Sequence, residues 1–215
     1  MLINQYIDHT LLKPTATIND IKKHCQEAIK YHFYAVCVNE CYVTLARNYL
    51  GESPVKVVAT VGFPLGAMAA ETKVIQAKNC ILRGASEIDM VVNLGYIKSG
   101  LLDAVEKEIA SIKKAIGNHV LKVIIETSYL TDEEKRLVTN LAIKAGADYI
   151  KTSTGFGTVP VTLDDIVLLK EVTTNKIKIK ASGGIRDALT AKQFIQAGVH
   201  RLGTSSSIAI VTQKQ

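Results

Sequence analysis

Eight short apolar runs rich in β-branched residues alternate with helix-patterned segments from one end of the chain to the other. The runs cover residues 6–10, 34–38, 57–61, 87–92, 120–125, 148–152, 177–181 and 199–202. Helical patterns fill residues 18–31, 41–50, 67–83, 101–116, 132–145, 163–172 and 187–197. Strands alternating with helices of that length suit parallel pairing through crossover connections. Eight units in 215 residues give a repeat of about 27 residues, which suits a compact (β/α)₈ barrel. A doubly wound open sheet is the alternative. No G-x-G-x-x-G follows the first run, as the dinucleotide-binding version of that fold would require.

Local signals agree. Thr131 with Glu134 and Thr17 with Asp20 read as capping boxes that start helices. Gly84, Gly117, Gly146 and Gly198 each follow a helical pattern, where a left-handed stop is useful. A Gly-Ala/Val-polar step recurs before three strands, at residues 84–86, 146–148 and 198–200. No linker or shift in composition divides the chain, so residues 1–215 are expected to form one α/β domain, a single TIM barrel.

Apolar residues make up 47% of the chain and aromatics only 6%, with no Trp, so an aliphatic core is expected. The net charge of +6 fits an anionic ligand. Acids and bases are interspersed with no basic block, so no nucleic-acid partner is expected. The longest uncharged apolar stretch, residues 57–70, is broken by Gly62, Pro64 and Gly66, and no membrane span is expected. The first residues lack a basic stretch followed by an apolar one, and Cys25, Cys37, Cys41 and Cys80 form no C-x-x-C. Both observations suggest reduced thiols in a cytoplasmic protein.

In a barrel of this kind the chemistry sits at the C-terminal ends of the strands. Those ends carry Asp8 and Thr10, Cys37, Asp89, Lys151 and Lys180. Lys151 follows the apolar pair Tyr149-Ile150 and precedes a glycine loop. A lysine becomes a nucleophile when burial and a second nearby cation lower its pKa, and Lys180 on the adjacent strand is the candidate second cation. Two surface lysines would be the bland reading, but the paired positions at strand ends favour a site. Asp89 within an apolar strand needs a partner; it can serve as a proton shuttle or as a structural salt bridge. Three Gly/Ser/Thr loops, residues 152–155, 182–184 and 203–207, read as an anion cup. His9, His24, His32, His119 and His200 are scattered, with His24 and His32 expected on a solvated helix face or its end, so no metal site is expected. Strand alternation places Lys178 on the same face as Lys180, one layer deeper in the barrel, with Glu87 and Glu126 as candidate partners.

The motifs Lys-Thr-Ser-Thr-Gly-Phe (151–156), Lys-Ala-Ser-Gly-Gly-Ile-Arg (180–186), Glu-Ile-Asp-Met-Val-Val-Asn (87–93) and Ile-Asp-His-Thr-Leu-Leu-Lys-Pro (7–14) together resemble the deoxyribose-phosphate aldolases. The resemblance runs over essentially the whole chain. It implies a metal- and cofactor-free Schiff-base aldolase that reversibly cleaves 2-deoxy-D-ribose 5-phosphate to glyceraldehyde 3-phosphate and acetaldehyde. It implies Lys151 as the Schiff-base lysine, Lys180 as the lysine that tunes it, and Asp89 acting with a water in proton transfer. Asp8, Thr10, Cys37 and Thr154 would line the sugar pocket. Gly155, Gly183, Gly184, Gly203, Ser205 and Ser206 would hold the phosphate. The partners expected are a phosphorylated sugar and aldehydes, and a homo-oligomer, dimer or tetramer. Two departures stand out: Phe156 occupies a place where some members have Lys, and no tyrosine follows Tyr149, so enamine protonation is expected to rest on water and Asp89. Another phosphosugar barrel enzyme, an isomerase or synthase using Asp89 as base, or a phosphosugar sensor are the alternatives.

Overall fold

The computed structural model describes residues 2–213; Met1 and the last two residues of the Val-Thr-Gln-Lys-Gln tail lie outside them. Eight strands close into one parallel barrel in sequence order. They are β1 (Ile7–Leu11), β2 (Ala35–Val38), β3 (Lys56–Val61), β4 (Glu87–Val91), β5 (Val120–Ile124), β6 (Tyr149–Lys151), β7 (Lys178–Ser182) and β8 (Arg201–Thr204). The barrel closes where Ile7, Asp8 and His9 pair with Leu202, Gly203 and Thr204. The open-sheet alternative is thereby excluded.

The helices are α1 (Ile18–Lys30), α2 (Val43–Leu50), α3 (Ala70–Leu82), α4 (Leu94–Lys98), α5 (Leu102–Ile116), α6 (Asp132–Lys144), α7 (Leu163–Thr173), α8 (Ala188–Gln196) and α9 (Ser207–Thr212). Both expected capping boxes are present, with Thr17 and Thr131 accepting from the amides of Asp20 and Glu134. A third, Thr162 with Asp165, starts α7. Outward-facing strand residues such as Val36, Val57, Ile88, Val123, Ile150 and Ile179 are fully buried against this helical ring. That layer is the aliphatic core anticipated from composition. Among the described residues no helix is long and apolar enough to cross a membrane.

The barrel interior is different. Its inward positions carry a small apolar cluster, Ala35, Cys37 and Val58 with Leu12, and a set of charges. Lys178 is not among these buried charges. It keeps the expected face, since the register with Tyr149 is regular, but it is the first residue of β7 and stands exposed at the barrel's lower rim. Its ammonium lies 5.6 Å from the Tyr149 ring centroid. The strand begins one residue too late to carry it inside; alternation is intact and no bulge intervenes.

Candidate active site

Seven charged side chains fill the interior. Asp8, Glu87 and Asp89 face Lys122, Lys151, Lys180 and Arg201, and all are buried. The period of two puts them there: each sits at an inward position of β1, β4, β5, β6, β7 or β8. Asp89 is the hub. Its Oδ2 accepts from Lys151 Nζ and Lys180 Nζ, each at 2.7 Å, and its Oδ1 accepts from Lys122 Nζ at 2.8 Å. Lys180 also donates to Asp8 Oδ2 at 2.5 Å. Below, Arg201 Nε donates to Asp8 Oδ1 at 2.8 Å, and its Nη2 to Glu87 Oε2 at 2.9 Å. Lys122 Nζ stands 2.6 Å from Glu87 Oε2. Glu87 therefore pairs with Lys122 and Arg201, not with Lys178.

The charge count decides what this cluster does. Four cations meet three acids, so full ionisation leaves one buried positive charge uncompensated, which is expensive. The cation that sheds its proton most cheaply is the one with fewest acid partners. Among the described residues Lys180, Lys122 and Arg201 each contact two carboxylates, and Lys151 contacts only Asp89. Burial depresses the Lys151 pKa, and the Lys180 ammonium adds to it against the pull of Asp89. Burial opposes the charge of Lys180 as well, but Asp8 and Asp89 outweigh it and raise its pKa. Burial would raise the Asp89 pKa, yet Lys122, Lys151 and Lys180 hold it well below the usual carboxylate range. Asp8, likewise opposed by burial, is held at about 2 by Arg201, Lys180 and Lys122.

Above the cluster opens a cavity of about 480 Å³ at the C-terminal ends of the strands. Of the seven charged residues only Lys151 borders it. Thr10, Thr154, Gly155, Gly183, Gly184, Gly203 and Ser205 line it as expected. Asp8 and Cys37 lie beneath the cavity floor, fully buried, with Asp8 bound to Lys180. Ser206 is set just behind the lining, its amide donating to Thr204 Oγ1 at 2.9 Å. Gly183 and Gly184 adopt φ of +97° and +81°, and a Cβ on Gly184 would stand 2.5 Å from Pro160 Cβ. Both the left-handed backbone and the crowding require glycine there. Lys13 and Arg186 line the same cavity, adding two cations. Phe156 also lines it and packs edge-on against Phe63, ring centroids 5.4 Å apart.

Three features were not legible as site residues. Lys122 and Arg201 are single charges in or beside apolar runs, and the alternation that located Lys180 also places them inward. Glu126 ends the β5 segment in a left-handed conformation, φ 50°, and binds Thr154 rather than Lys178. A fourth cluster corrects the view of scattered histidines. His24 is buried, not solvated; it stacks on His9 at 3.8 Å, and their ligand atoms lie with that of Glu27 within 4.8 Å. His9 Nδ1 meets Ser207 Oγ at 2.8 Å, His9 Nε2 meets Glu27 Oε2 at 3.1 Å and His24 Nε2 meets the His9 carbonyl at 2.9 Å. An ion bound by nearly parallel, stacked rings would lie out of both ring planes, so this set fits a hydrogen-bonded packing unit better than a metal centre.

Known proteins resemble the chain over nearly its whole length. The family described as "DeoC/LacD family aldolase" matches residues 2–205. A deoxyribose-phosphate aldolase of Coprothermobacter proteolyticus is 49% identical over 99% of this chain and 97% of its own length. One of Deinococcus radiodurans is 49% identical over 99% of this chain and 96% of its own. Among solved structures, an aldolase called QR15 aligns with a TM-score of 0.94 and 42% identity, over 97% of this chain and 94% of that one. The deoxyribose phosphate aldolase of Aeropyrum pernix, described as tetrameric, aligns at 0.87 and 32% identity, over 97% and 89%.

Proposed function

The chain belongs to the DeoC/LacD family of aldolases, and on that premise we propose that it cleaves 2-deoxy-D-ribose 5-phosphate reversibly through a Schiff base on Lys151. The observation that carries the reading is the unequal pairing of two buried lysines. Lys151 borders the cavity with one carboxylate partner, beside Lys180 with two. Such an arrangement keeps one ammonium and frees one amine.

In the proposed cycle the neutral Lys151 amine adds to the aldehyde carbon of the open-chain sugar. Loss of water leaves an iminium. A base removes the proton of the 3-hydroxyl, and C3 becomes the carbonyl of glyceraldehyde 3-phosphate. The C2–C3 electron pair moves into the iminium and gives an enamine. Protonation at C2 and hydrolysis release acetaldehyde and restore the amine. Asp89 acts on these protons through a water. Its basicity is low while three cationic groups face it and rises while Lys151 is a neutral amine or an enamine nitrogen; at the iminium, itself a cation, Asp89 orients the water that relays the 3-hydroxyl proton. An isomerase using Asp89 as its only base fits less well, because it would leave the unequally paired buried lysines without a role.

Thr10 and Thr154 are placed to meet the sugar hydroxyls. Gly155, Gly183, Gly184, Gly203, Ser205 and Ser206 would receive the phosphate through amides and hydroxyls, with Lys13 and Arg186 supplying charge. Binding the remote phosphate orients the reacting carbons. The iminium itself is the electron sink, so the proposed cycle calls for no metal or cofactor. We also propose that residues 1–215 act as one catalytic domain, working in the cytoplasm as a homo-oligomer, dimer or tetramer. The direct test is synthesis: the protein with acetaldehyde and glyceraldehyde 3-phosphate should yield deoxyribose 5-phosphate, and Lys151→Met should not. An active Lys151→Met would overturn the assignment.

A further inference from the structure

We propose that Glu126 is a positioning residue for sugar-phosphate recognition: acting through Thr154, its carboxylate fixes the loop after β6 that forms one wall of the cavity. The inference rests on the aldolase reading above and extends it to a residue outside the charged cluster.

Glu126 follows β5, and its backbone is left-handed, at φ 50° and ψ 71°. That conformation is strained for a residue with a side chain and persists only where the surroundings enforce it. The side chain is 3% exposed. Oε2 accepts the Thr154 amide at 3.0 Å and the Thr154 hydroxyl in a short contact. With its proton committed to Glu126, Thr154 Oγ1 accepts in turn from the Phe156 amide at 3.0 Å. One carboxylate oxygen thus holds three successive elements of the turn. Thr154, Gly155 and Phe156 all border the cavity together with Lys151, three residues upstream of Thr154.

The other oxygen argues against a purely structural role. Glu126 Oε1 is buried and has no hydrogen-bond partner among the described residues, and the same is true of Ser128 Oγ, two residues on, and of Ser153 Oγ, next to Thr154. A buried carboxylate oxygen without a partner is costly, and such a cost is met at sites that serve function. Gly157 completes the clamp. A Cβ there would stand 2.7 Å from Oε1 and 2.8 Å from Ser128 Oγ, so any side chain at this position would push the carboxylate out of its place. Strained backbone, an unpaired buried oxygen and a glycine closely packed on the carboxylate converge on the loop that borders the cavity.

The test measures steady-state cleavage of deoxyribose 5-phosphate and acetaldehyde–borohydride trapping for wild type, Glu126→Ala, Glu126→Gln and Gly157→Ala. Loss of charge-assisted bonds to the loop should raise KM for Glu126→Ala roughly ten- to a hundred-fold. Trapping of acetaldehyde, which lacks the parts that reach this wall, should fall much less. Glu126→Gln should recover most of the KM, since its amide oxygen accepts the same two donors, and Gly157→Ala should raise KM in the same direction. A wild-type KM in Glu126→Ala, or a loss confined to kcat that glutamine does not rescue, overturns the proposal. Should Glu126→Ala fail to fold, Gly157→Ala decides, and a wild-type KM there overturns it. A wild type that does not cleave the sugar phosphate at all would overturn the aldolase reading and this inference with it; an active wild type with unresponsive variants overturns the inference alone.

Discussion

Replacing Lys180 by Met tests the charge count inside the barrel. The substitution keeps the apolar stem and removes one of four cations, leaving Lys122, Lys151 and Arg201 against Asp8, Glu87 and Asp89. The surplus positive charge vanishes, and with it the repulsion that adds to burial in driving the proton off Lys151. Asp89 then has only Lys122 and Lys151 as partners, which favours the Lys151 ammonium further. A lysine with an ordinary pKa of about 10.4 is neutral in fewer than about one molecule in a thousand at pH 7. Activity at pH 7 should therefore fall by up to about a thousandfold and recover about tenfold per pH unit toward pH 10. The assay is the pH profile of kcat for Lys180→Met and wild type, with thermal melting as a control for the disrupted ion pairs. Borohydride trapping across the same range assigns the nucleophile. A Lys180→Met profile that stays flat as pH rises, with no acetaldehyde trapped even at pH 10 while Lys151→Met still traps, would exchange the roles of the two lysines.

Other consequences can be measured separately. Ser205→Asp puts a carboxylate on the cavity wall and should raise KM for the phosphorylated sugar while affecting unphosphorylated deoxyribose far less; equal losses would place the phosphate elsewhere. Gly184→Asp would be a poorer probe, since any Cβ there collides with Pro160. Burial lowers the pKa of His9 to about 4, despite the Glu27 carboxylate beside it, and that of His24 to about 3. Unfolded histidines bind protons below about 6.5, so stability should be full above that pH. It should fall by about 1.4 kcal/mol per histidine per unit as pH drops toward 4, and a denaturation midpoint unchanged from pH 7 to 4.5 would contradict it. Dialysis against EDTA should leave the aldol rate unchanged, whereas a loss restored by zinc would indicate a metal-dependent reaction.

Most of the barrel is legible in the sequence because its strands are β-branched runs and its helices carry capping boxes. Boundaries fall within one or two residues for most elements, as at α5, β4 and β5. The α4 helix is not legible: five residues including Gly95 are too few for a helical period, and its start rests on the Asn93 cap. At β8 the Val199-His200 pair belongs to the turn that leads in, so the strand starts two residues later. Asp89, Lys151 and Lys180 stand out because charges in strands of a closed barrel must point either at helices or at one another. The same parity rule reaches Lys122 and Arg201, but a lone charge in an otherwise apolar run reads as a strand end. Lys178 shows the limit of alternation: parity gives the face, and only the strand's starting point gives the depth. His9 and His24 are 15 positions apart, and only the packing of α1 against β1 brings them together. The turn at Glu126 depends on a left-handed backbone that nothing in its composition signals.

Everything proposed for the site turns on Lys151 being the neutral amine in a cluster with one surplus cation. Incubation of the protein with acetaldehyde and sodium borohydride at pH 7, followed by peptide mass spectrometry, measures it directly. A single added ethyl group is expected, on the peptide carrying Lys151, with Lys180 and Lys122 unmodified. An unmodified Lys151 peptide, a label on Lys180, or equal labelling of many lysines would contradict it.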